Sequence, residues 1–285
     1  MLDIKREDLI HPFVSGNKFR KLKYNLVEAK KLNQTKLLTF GGAFSNHIAA
    51  VAYAGMEHGF QTIGIIRGEE LKNKINKNPT LQFAQKCGMI FEFVTRENYR
   101  NKENLDFIAS LKIKYNDFYM IPEGGTNDFA IKGCEEILTE ADAEYDFVCC
   151  CVGTGGTISG LINSSKQHQK IIGFSALKGN FLQNEIRKFA KKDNWDLRSE
   201  YHFGGYGKVT DELILFMNLF SNQNSILLDP IYTSKMVFGV IDLINRNYFP
   251  KKSKILMIHS GGLQGIEGMN LILKNKNKTI IQTNV

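Results

Sequence analysis

The chain reads as an α/β protein of mostly parallel, twisted sheets with helices on both faces, and three observations predict it. From Lys36 onward short β-rich runs alternate with helical stretches, the pattern of parallel strands joined by helical crossovers. Most of those β-rich runs end at a glycine or another turn residue. At 285 residues the chain exceeds the usual size of one hydrophobic core, so two lobes are expected, or one large α/β unit with an insertion.

The expected strands, in order, are Leu37 to Phe40, Thr62 to Ile66, Ile90 to Val94, Phe118 to Ile121, Phe147 to Val152, Ile171 to Ala176 and Ile255 to His259. Each is a short run rich in β-branched, aromatic or other apolar residues. The expected helices between them include His47 to Glu57, Thr80 to Lys86, Leu105 to Tyr115, Phe129 to Thr139, Ile158 to Gln167 and Asn184 to Lys191. A further helix follows Ser15-Gly16-Asn17, with Phe19, Leu22 and Leu26 at helical spacing.

Composition narrows the function. With 43% hydrophobic and 23% charged residues the chain is ordinary for a soluble globular protein, and no apolar run approaches the roughly 20 residues needed to cross a bilayer. A net charge of +8 and a pI near 9.1 raise the question of nucleic acid. The basic residues are mostly Lys, spread along the whole chain with no aromatic-interleaved basic motif, so solvated lysine faces account for the charge and no nucleic-acid partner is expected. The five cysteines, Cys87, Cys134, Cys149, Cys150 and Cys151, are odd in number and form no CysXaaXaaCys pair, and three of them stand in one apolar run. That is neither a disulfide framework nor a zinc site, and no metal is expected. The start, MetLeuAspIleLysArgGluAsp, lacks the order of a signal peptide, which points to a reducing cytoplasm.

In open parallel sheets ligands bind beyond the carboxyl ends of the strands. Four loops there are unusual: GlyGlyAlaPheSerAsnHis (41–47), GluGlyGly (123–125), GlyThrGlyGlyThr (153–157) and SerGlyGly (260–262). The 153–157 loop follows a buried strand and opens a helix, so the backbone N–H groups of Gly153, Thr154, Gly155, Gly156 and Thr157 can wrap an anion. A tight strand-to-helix turn is the alternative. The sixth position of a dinucleotide fingerprint is Ile158, and no GlyLys pair follows, so the loop suits a single phosphate group rather than a P-loop reaction. Such a loop suggests pyridoxal phosphate, which demands one lysine for a Schiff base. Lys18, in the first turn after Ser15-Gly16-Asn17, is the candidate, although a solvated surface charge is the ordinary reading of a lysine there. Ser45, Asn46 and His47 open another helix, where N–H groups would hold a substrate carboxylate or simply form a capping turn.

Taken together, SerGlyAsnLysPheArgLysLeu (15–22), GlyGlyAlaPheSerAsnHis, GlyThrGlyGlyThr, LeuAspProIleTyrThrSerLys (228–235) and IleHisSerGlyGly (258–262) resemble one family in order and spacing, from LysArgGluAsp (5–8) to the last glycine loop. It is the fold type II pyridoxal-phosphate group that holds 1-aminocyclopropane-1-carboxylate (ACC) deaminase and D-cysteine desulfhydrase. The resemblance implies a two-domain architecture of the tryptophan synthase β type. Residues 1–32 and 129–285 would form a large cofactor domain, with a small α/β domain, 33–128, inserted, and the protein would be a homodimer. It implies that Lys18 forms the Schiff base and moves protons, and that Asn46 hydrogen-bonds the cofactor's 3′-oxygen. Ser45, Asn46 and His47 would meet the substrate carboxylate, and the 153–157 backbone would hold the phosphate. Tyr232 would lie against the ring as a proton donor or acceptor, and Tyr206, in GlyGlyTyrGlyLys, would be a second active-site tyrosine. Members usually carry a further N-terminal segment, so part of a large domain or a subunit contact is expected to be missing here.

Within that family, ACC deaminases are described with a Glu after the tyrosine of AspProXaaTyr and a Leu in the final HisXaaGlyGly, where desulfhydrases have hydroxyl residues. Thr233 and Ser260 stand at those positions, beside the cofactor in the resemblance. The expectation is therefore D-cysteine desulfhydrase-like β-elimination from a small amino acid, giving pyruvate, sulfide and ammonia. The alternatives are ACC deamination to 2-oxobutyrate and ammonia, β-replacement on the same fold, and a non-catalytic protein that binds a phosphorylated ligand.

Overall fold

The computed structural model describes residues 1–283. Strand and helix alternate as β1 (Leu2–Lys5), α1 (Asn17–Lys31), β2 (Lys36–Gly41), α2 (Asn46–His58), β3 (Gln61–Arg67), α3 (Pro79–Lys86) and β4 (Ile90–Val94). Next come α4 (Arg96–Arg100), α5 (Leu105–Tyr115), β5 (Tyr119–Ile121), α6 (Asp128–Glu135), β6 (Phe147–Val152), α7 (Gly156–Ser164) and β7 (Lys170–Ser175). The chain continues through α8 (Phe181–Arg187), β8 (Trp195–Arg198), α9 (Asp211–Asn224), α10 (Thr233–Asn245), β9 (Ile255–Ile258) and α11 (Gly265–Asn275).

The strands form two sheets, ordered β1-β9-β6-β7-β8 and β4-β3-β2-β5, and every pairing is parallel. Because crossovers cover both faces, the central strands are apolar throughout: PheValCysCysCysVal of β6 is buried from Val148 onward. Apolar clusters lie on either side of each sheet, one of them Val148, Cys150, Ile158, Leu161 and Ile171, another Cys149, Ile172, Phe174, Met236 and Val240. The three consecutive cysteines are thus core residues that alternate between faces.

All seven expected strands are present, most within a residue or so at each end. Two short edge strands, β1 and β8, were not expected. Their sequences, LeuAspIleLys and TrpAspLeuArg, alternate charge with apolar residues and are only half-buried. Helix starts fall slightly earlier than the apolar pattern suggests, because caps set them: Asn78 caps α3, with Pro79 as its first residue, and Asn127 caps α6. Helices α1, α6 and α7 pack closely because Gly133 and Gly160 face backbone; a Cβ on Gly133 would overlap the Arg20 carbonyl.

Candidate active site

The site begins with how α1 is anchored. Arg20 donates a bidentate pair to Glu7 (2.8 and 3.0 Å), Lys5 pairs with Asp142, and Asp8 takes two bonds from Arg6 while facing the buried His259 ring at 3.4 Å. LysArgGluAsp therefore ties β1 to α1 and to the loop after β9. The polar turn before α1 does not cap it with a side chain. Instead Gly16, at φ +60°, lies flat on the 260–262 loop, and the Asn17 N–H donates to the Ser260 carbonyl (3.1 Å). A Cβ on Gly16 would overlap that carbonyl, so this interlock requires glycine.

The strand ends of both sheets meet around a cavity of about 700 Å³. One end of it is built by the loop after β6. Gly155 is the N-cap of α7 in the left-handed conformation, φ +85°, with no side chain capping the first turn, so the leading N–H groups are left for another acceptor. Gly156 has no room for a Cβ, which would sit 2.8 Å from the Thr126 hydroxyl and 3.0 Å from the Lys21 Nζ. Asn17 donates through Nδ2 to the Thr157 hydroxyl (2.9 Å).

Lys21, one turn beyond Lys18 on α1, is almost fully buried beside this loop. It donates to the Gly124 carbonyl (3.0 Å) and to the Thr126 (3.1 Å) and Thr154 (3.4 Å) hydroxyls. Burial, and then the neighbouring Lys18, push its pKa down to about 7. No carboxylate pairs with it among the described residues. A buried cation, three hydroxyls and uncapped N–H groups make an anion cradle. Sequence reasoning missed Lys21; the signal was its spacing of three from Lys18, which puts both on one helix face.

Lys18 lines the same cavity, half-buried, its Nζ donating to the Asn17 side-chain oxygen (3.2 Å). Burial holds its pKa below the ordinary lysine range. The start of α2 lines the cavity as well. Ser45 is the N-cap and accepts from the His47 and Ile48 N–H groups (3.2 and 3.3 Å), leaving its hydroxyl hydrogen without an acceptor among the described residues. Asn46 lines the cavity over Gly262. His47 is buried: the Thr39 hydroxyl donates to the Ile121 carbonyl (2.8 Å), so Nε2–H of His47 must donate to Thr39 (2.8 Å) and Nδ1 carries a lone pair with no partner. Burial first, then Lys18 and Lys21, keep His47 neutral by holding its pKa well below the usual value.

The remaining wall carries the two tyrosines, whose rings lie 6.3 Å apart. Tyr232 packs on Gly153, where a Cβ would come within 2.9 Å of the ring. Burial raises both phenols above their ordinary range, Tyr232 well above it, so both stay protonated at neutral pH. Ser260 faces the cavity with its hydroxyl 3.0 Å from the Cys151 sulfur. Burial pushes the Cys151 thiol up to about 12, so it is not a nucleophile at neutral pH. Thr233 does not line the cavity. It is fully buried and exchanges hydrogen bonds with Asp229, its hydroxyl donating to Oδ1 and accepting from the Asp229 N–H (both 2.8 Å). The structure thus brings together Lys18, Ser45, Asn46, His47, residues 153–157, Tyr206, Tyr232 and Ser260, and leaves Thr233 behind them.

A cavity lined by a lysine amine and by a cradle for one phosphate fits pyridoxal phosphate. No step of glycine placement is spare: the space a Cβ would take at Gly153 and Gly156 is already claimed. Residues 2–261 match the family described as pyridoxal-phosphate dependent enzyme, and the chain belongs to that family and uses its cofactor. Among relatives, a protein of Pyrococcus horikoshii named putative 1-aminocyclopropane-1-carboxylate deaminase is 30% identical over 281 residues, covering 92% of this chain and 84% of its own length. An Arabidopsis thaliana protein named bifunctional D-cysteine desulfhydrase/1-aminocyclopropane-1-carboxylate deaminase, mitochondrial, is 28% identical and covers 92% of this chain and 72% of its own. The crystal structure of an ACC deaminase homologue superposes with a TM-score of 0.81 at 27% identity, over 93% of this chain and 85% of that one. O-Ureido-L-serine synthase, at 11% identity and a TM-score of 0.69, shares the fold.

Proposed function

We propose that the chain deaminates a small amino acid by β-elimination, in the manner of D-cysteine desulfhydrase: D-cysteine and water give pyruvate, hydrogen sulfide and ammonia. The observation that carries this is the single cavity lined together by the Lys18 amine, the start of α2, the phosphate cradle and two protonated tyrosines. When bound, the cofactor supplies an electron sink that loosens the Cα proton and lets a β-substituent leave. Lys18 would hold its aldehyde, and Lys21 with the 153–157 backbone its phosphate. Ser45 and Asn46, with the Asn46 N–H that the Ser45 cap leaves free, orient the substrate carboxylate. His47, neutral and anchored to Thr39, holds the first turn of α2 in place. The Lys18 amine would be the base placed to take the Cα proton. Tyr232 and Tyr206, kept protonated by burial, supply a proton to the departing sulfur. Ser260 places a hydroxyl rather than a leucine side chain at the cavity wall, which supports the desulfhydrase reading. Thr233 acts behind the wall, by fixing Asp229.

The second reading, hydrolytic opening of ACC to 2-oxobutyrate and ammonia, is favoured by the names of the relatives. A visible spectrum of the purified protein, repeated with D-cysteine and with ACC, separates them. A band that shifts with D-cysteine, with sulfide and pyruvate released, supports the first reading. A shift and 2-oxobutyrate with ACC alone would replace it by the second, and no band after cofactor is supplied would leave only a phosphate binder. We assign residues 1–32 and 129–285 to the cofactor domain and 33–128 to an inserted domain, because β2 to β5 form one sheet and the other strands a second. The protein is proposed to work as a homodimer, which sedimentation would test, in a reducing cytoplasm suited to its five unpaired cysteines.

A further inference from the structure

Lys235 is 0% exposed, yet no carboxylate lies within ion-pair distance of it among the described residues. Its ammonium donates instead to two backbone carbonyls, those of His202 (2.9 Å) and Gly205 (3.0 Å). Burying a charge costs free energy, so a lysine in such a place needs a task that an apolar residue could not perform. Both carbonyls belong to HisPheGlyGlyTyrGly (202–207), an irregular segment in which Phe203, Gly204, Gly205 and Gly207 all have positive φ. A segment so rich in glycine has many other conformations available. Tyr206 sits inside it, 46% exposed, with its ring at the cavity.

The position of Lys235 gives that grip its meaning. Tyr232 is the N-cap residue of α10, and Lys235 lies three residues on, in the first turn of the same helix. Asp229 fixes that turn by accepting from the Ile231, Tyr232 and Thr233 N–H groups (2.9, 3.1 and 2.6 Å). One helix start therefore carries the first tyrosine directly and reaches the loop that carries the second. We infer that Lys235 is a positioning residue for the reaction: by holding the His202 and Gly205 carbonyls it fixes the 202–207 loop and keeps Tyr206 beside Tyr232. The inference rests on the reading of the cavity as the site of an amino-acid deaminase. Burial lowers the Lys235 pKa to about 8, so the ammonium form prevails at neutral pH and all its hydrogens can be donated. Lys235→Met fills the same space and removes the donors.

The test is a double-mutant cycle on the cofactor-loaded enzyme with amide hydrogen exchange read in parallel. Lys235→Met is expected to lower kcat about tenfold in the wild-type background and less than about twofold in the Tyr206→Phe background, because a residue acting through Tyr206 has nothing left to position. Cofactor absorbance should be retained, and the amides of 203–208 should exchange at least about tenfold faster, with α10 unchanged. Equal losses in both backgrounds, or unchanged exchange in the loop, would overturn the inference. Should Lys235→Met fail to fold, Lys235→Arg takes its place in the cycle, and any loss it causes must likewise vanish beside Tyr206→Phe. If the wild type turns over neither D-cysteine nor ACC, the functional reading fails, and the exchange comparison alone then decides whether Lys235 holds the loop.

Discussion

Lys21→Met should move the stability and the anion affinity of this protein in opposite directions. The Lys21 pKa stands at about 7 in the folded protein, against about 10.4 for an unperturbed lysine. At about 1.4 kcal/mol per unit, holding that charge inside the cofactor-free protein costs on the order of 4 kcal/mol. The unfolded chain keeps the proton up to about pH 10 while the folded one releases it near 7. The penalty is therefore full below pH 7 and fades as pH rises toward 10. Methionine removes the penalty but strands the Gly124 carbonyl, which costs about 1–3 kcal/mol. The net expectation is a cofactor-free variant more stable by about 1–3 kcal/mol at pH 7, a Tm rise of roughly 2–8 °C for a chain of this length. Its affinity for inorganic phosphate should fall roughly 10- to 100-fold, the worth of a charge-assisted hydrogen bond. In the wild type that affinity should also decline as pH rises from 7 to 9, because Lys21 must take up a proton to meet the anion, and in the variant this decline should disappear. Thermal melts of the cofactor-free proteins and phosphate titrations at pH 7, 8 and 9 read both effects. A variant that melts lower than wild type, or binds phosphate as tightly with the same pH dependence, would refute the assignment of Lys21 to the anion cradle.

Lys18→Ala should abolish the visible band and turnover together while the fold is kept; turnover near the wild-type level would remove Lys18 from the site. Gly155→Val forces a β-branched residue to φ +85° and against Ile186, at a cost of about 1–3 kcal/mol, and should release cofactor on dialysis at least about tenfold faster. Ser45→Ala removes the N-cap of α2 and should cost about 1 kcal/mol in urea unfolding; it should also raise KM for the amino acid without loss of the cofactor band. An unchanged KM would leave Ser45 as a cap alone.

Much of the fold was legible because parallel strands buried on both faces write continuous apolar runs, and β6 is the clearest of them. The edges were not. β1 and β8 each have one neighbour, so their sequences need not be apolar throughout. The glycine loops were legible as well, since a close backbone approach admits no other residue, and they led to residues that do meet in space. What one-dimensional reading could not weigh was direction. Thr233 and Ser260 look equivalent as hydroxyl residues next to motif positions, yet one turns back to Asp229 and the other faces the cavity. Lys21 and Lys235 stayed hidden for a similar reason: among so many lysines, only burial separates the two that bind backbone inside the protein from those that face solvent.

Lys18 and Lys21 explain why α1 breaks the usual pattern of a surface helix. Three residues apart, they share a face, and that face is turned inward, so burial lowers the proton affinity of both and Lys18 lowers that of Lys21 further. A chain that needed only a stable helix there would place apolar residues at both positions. The arrangement becomes favourable when one amine is consumed in a covalent bond and the other meets a phosphate, for then neither charge is left uncompensated. The same logic covers the uncapped start of α7 and the lone pair on His47 Nδ1, polar groups that the protein alone does not satisfy. The site is therefore a region where the chain gives up stability in its empty form, and binding the cofactor should return it. The holo protein is accordingly expected to melt well above the cofactor-free protein, with the gap reduced by Lys21→Met from both sides.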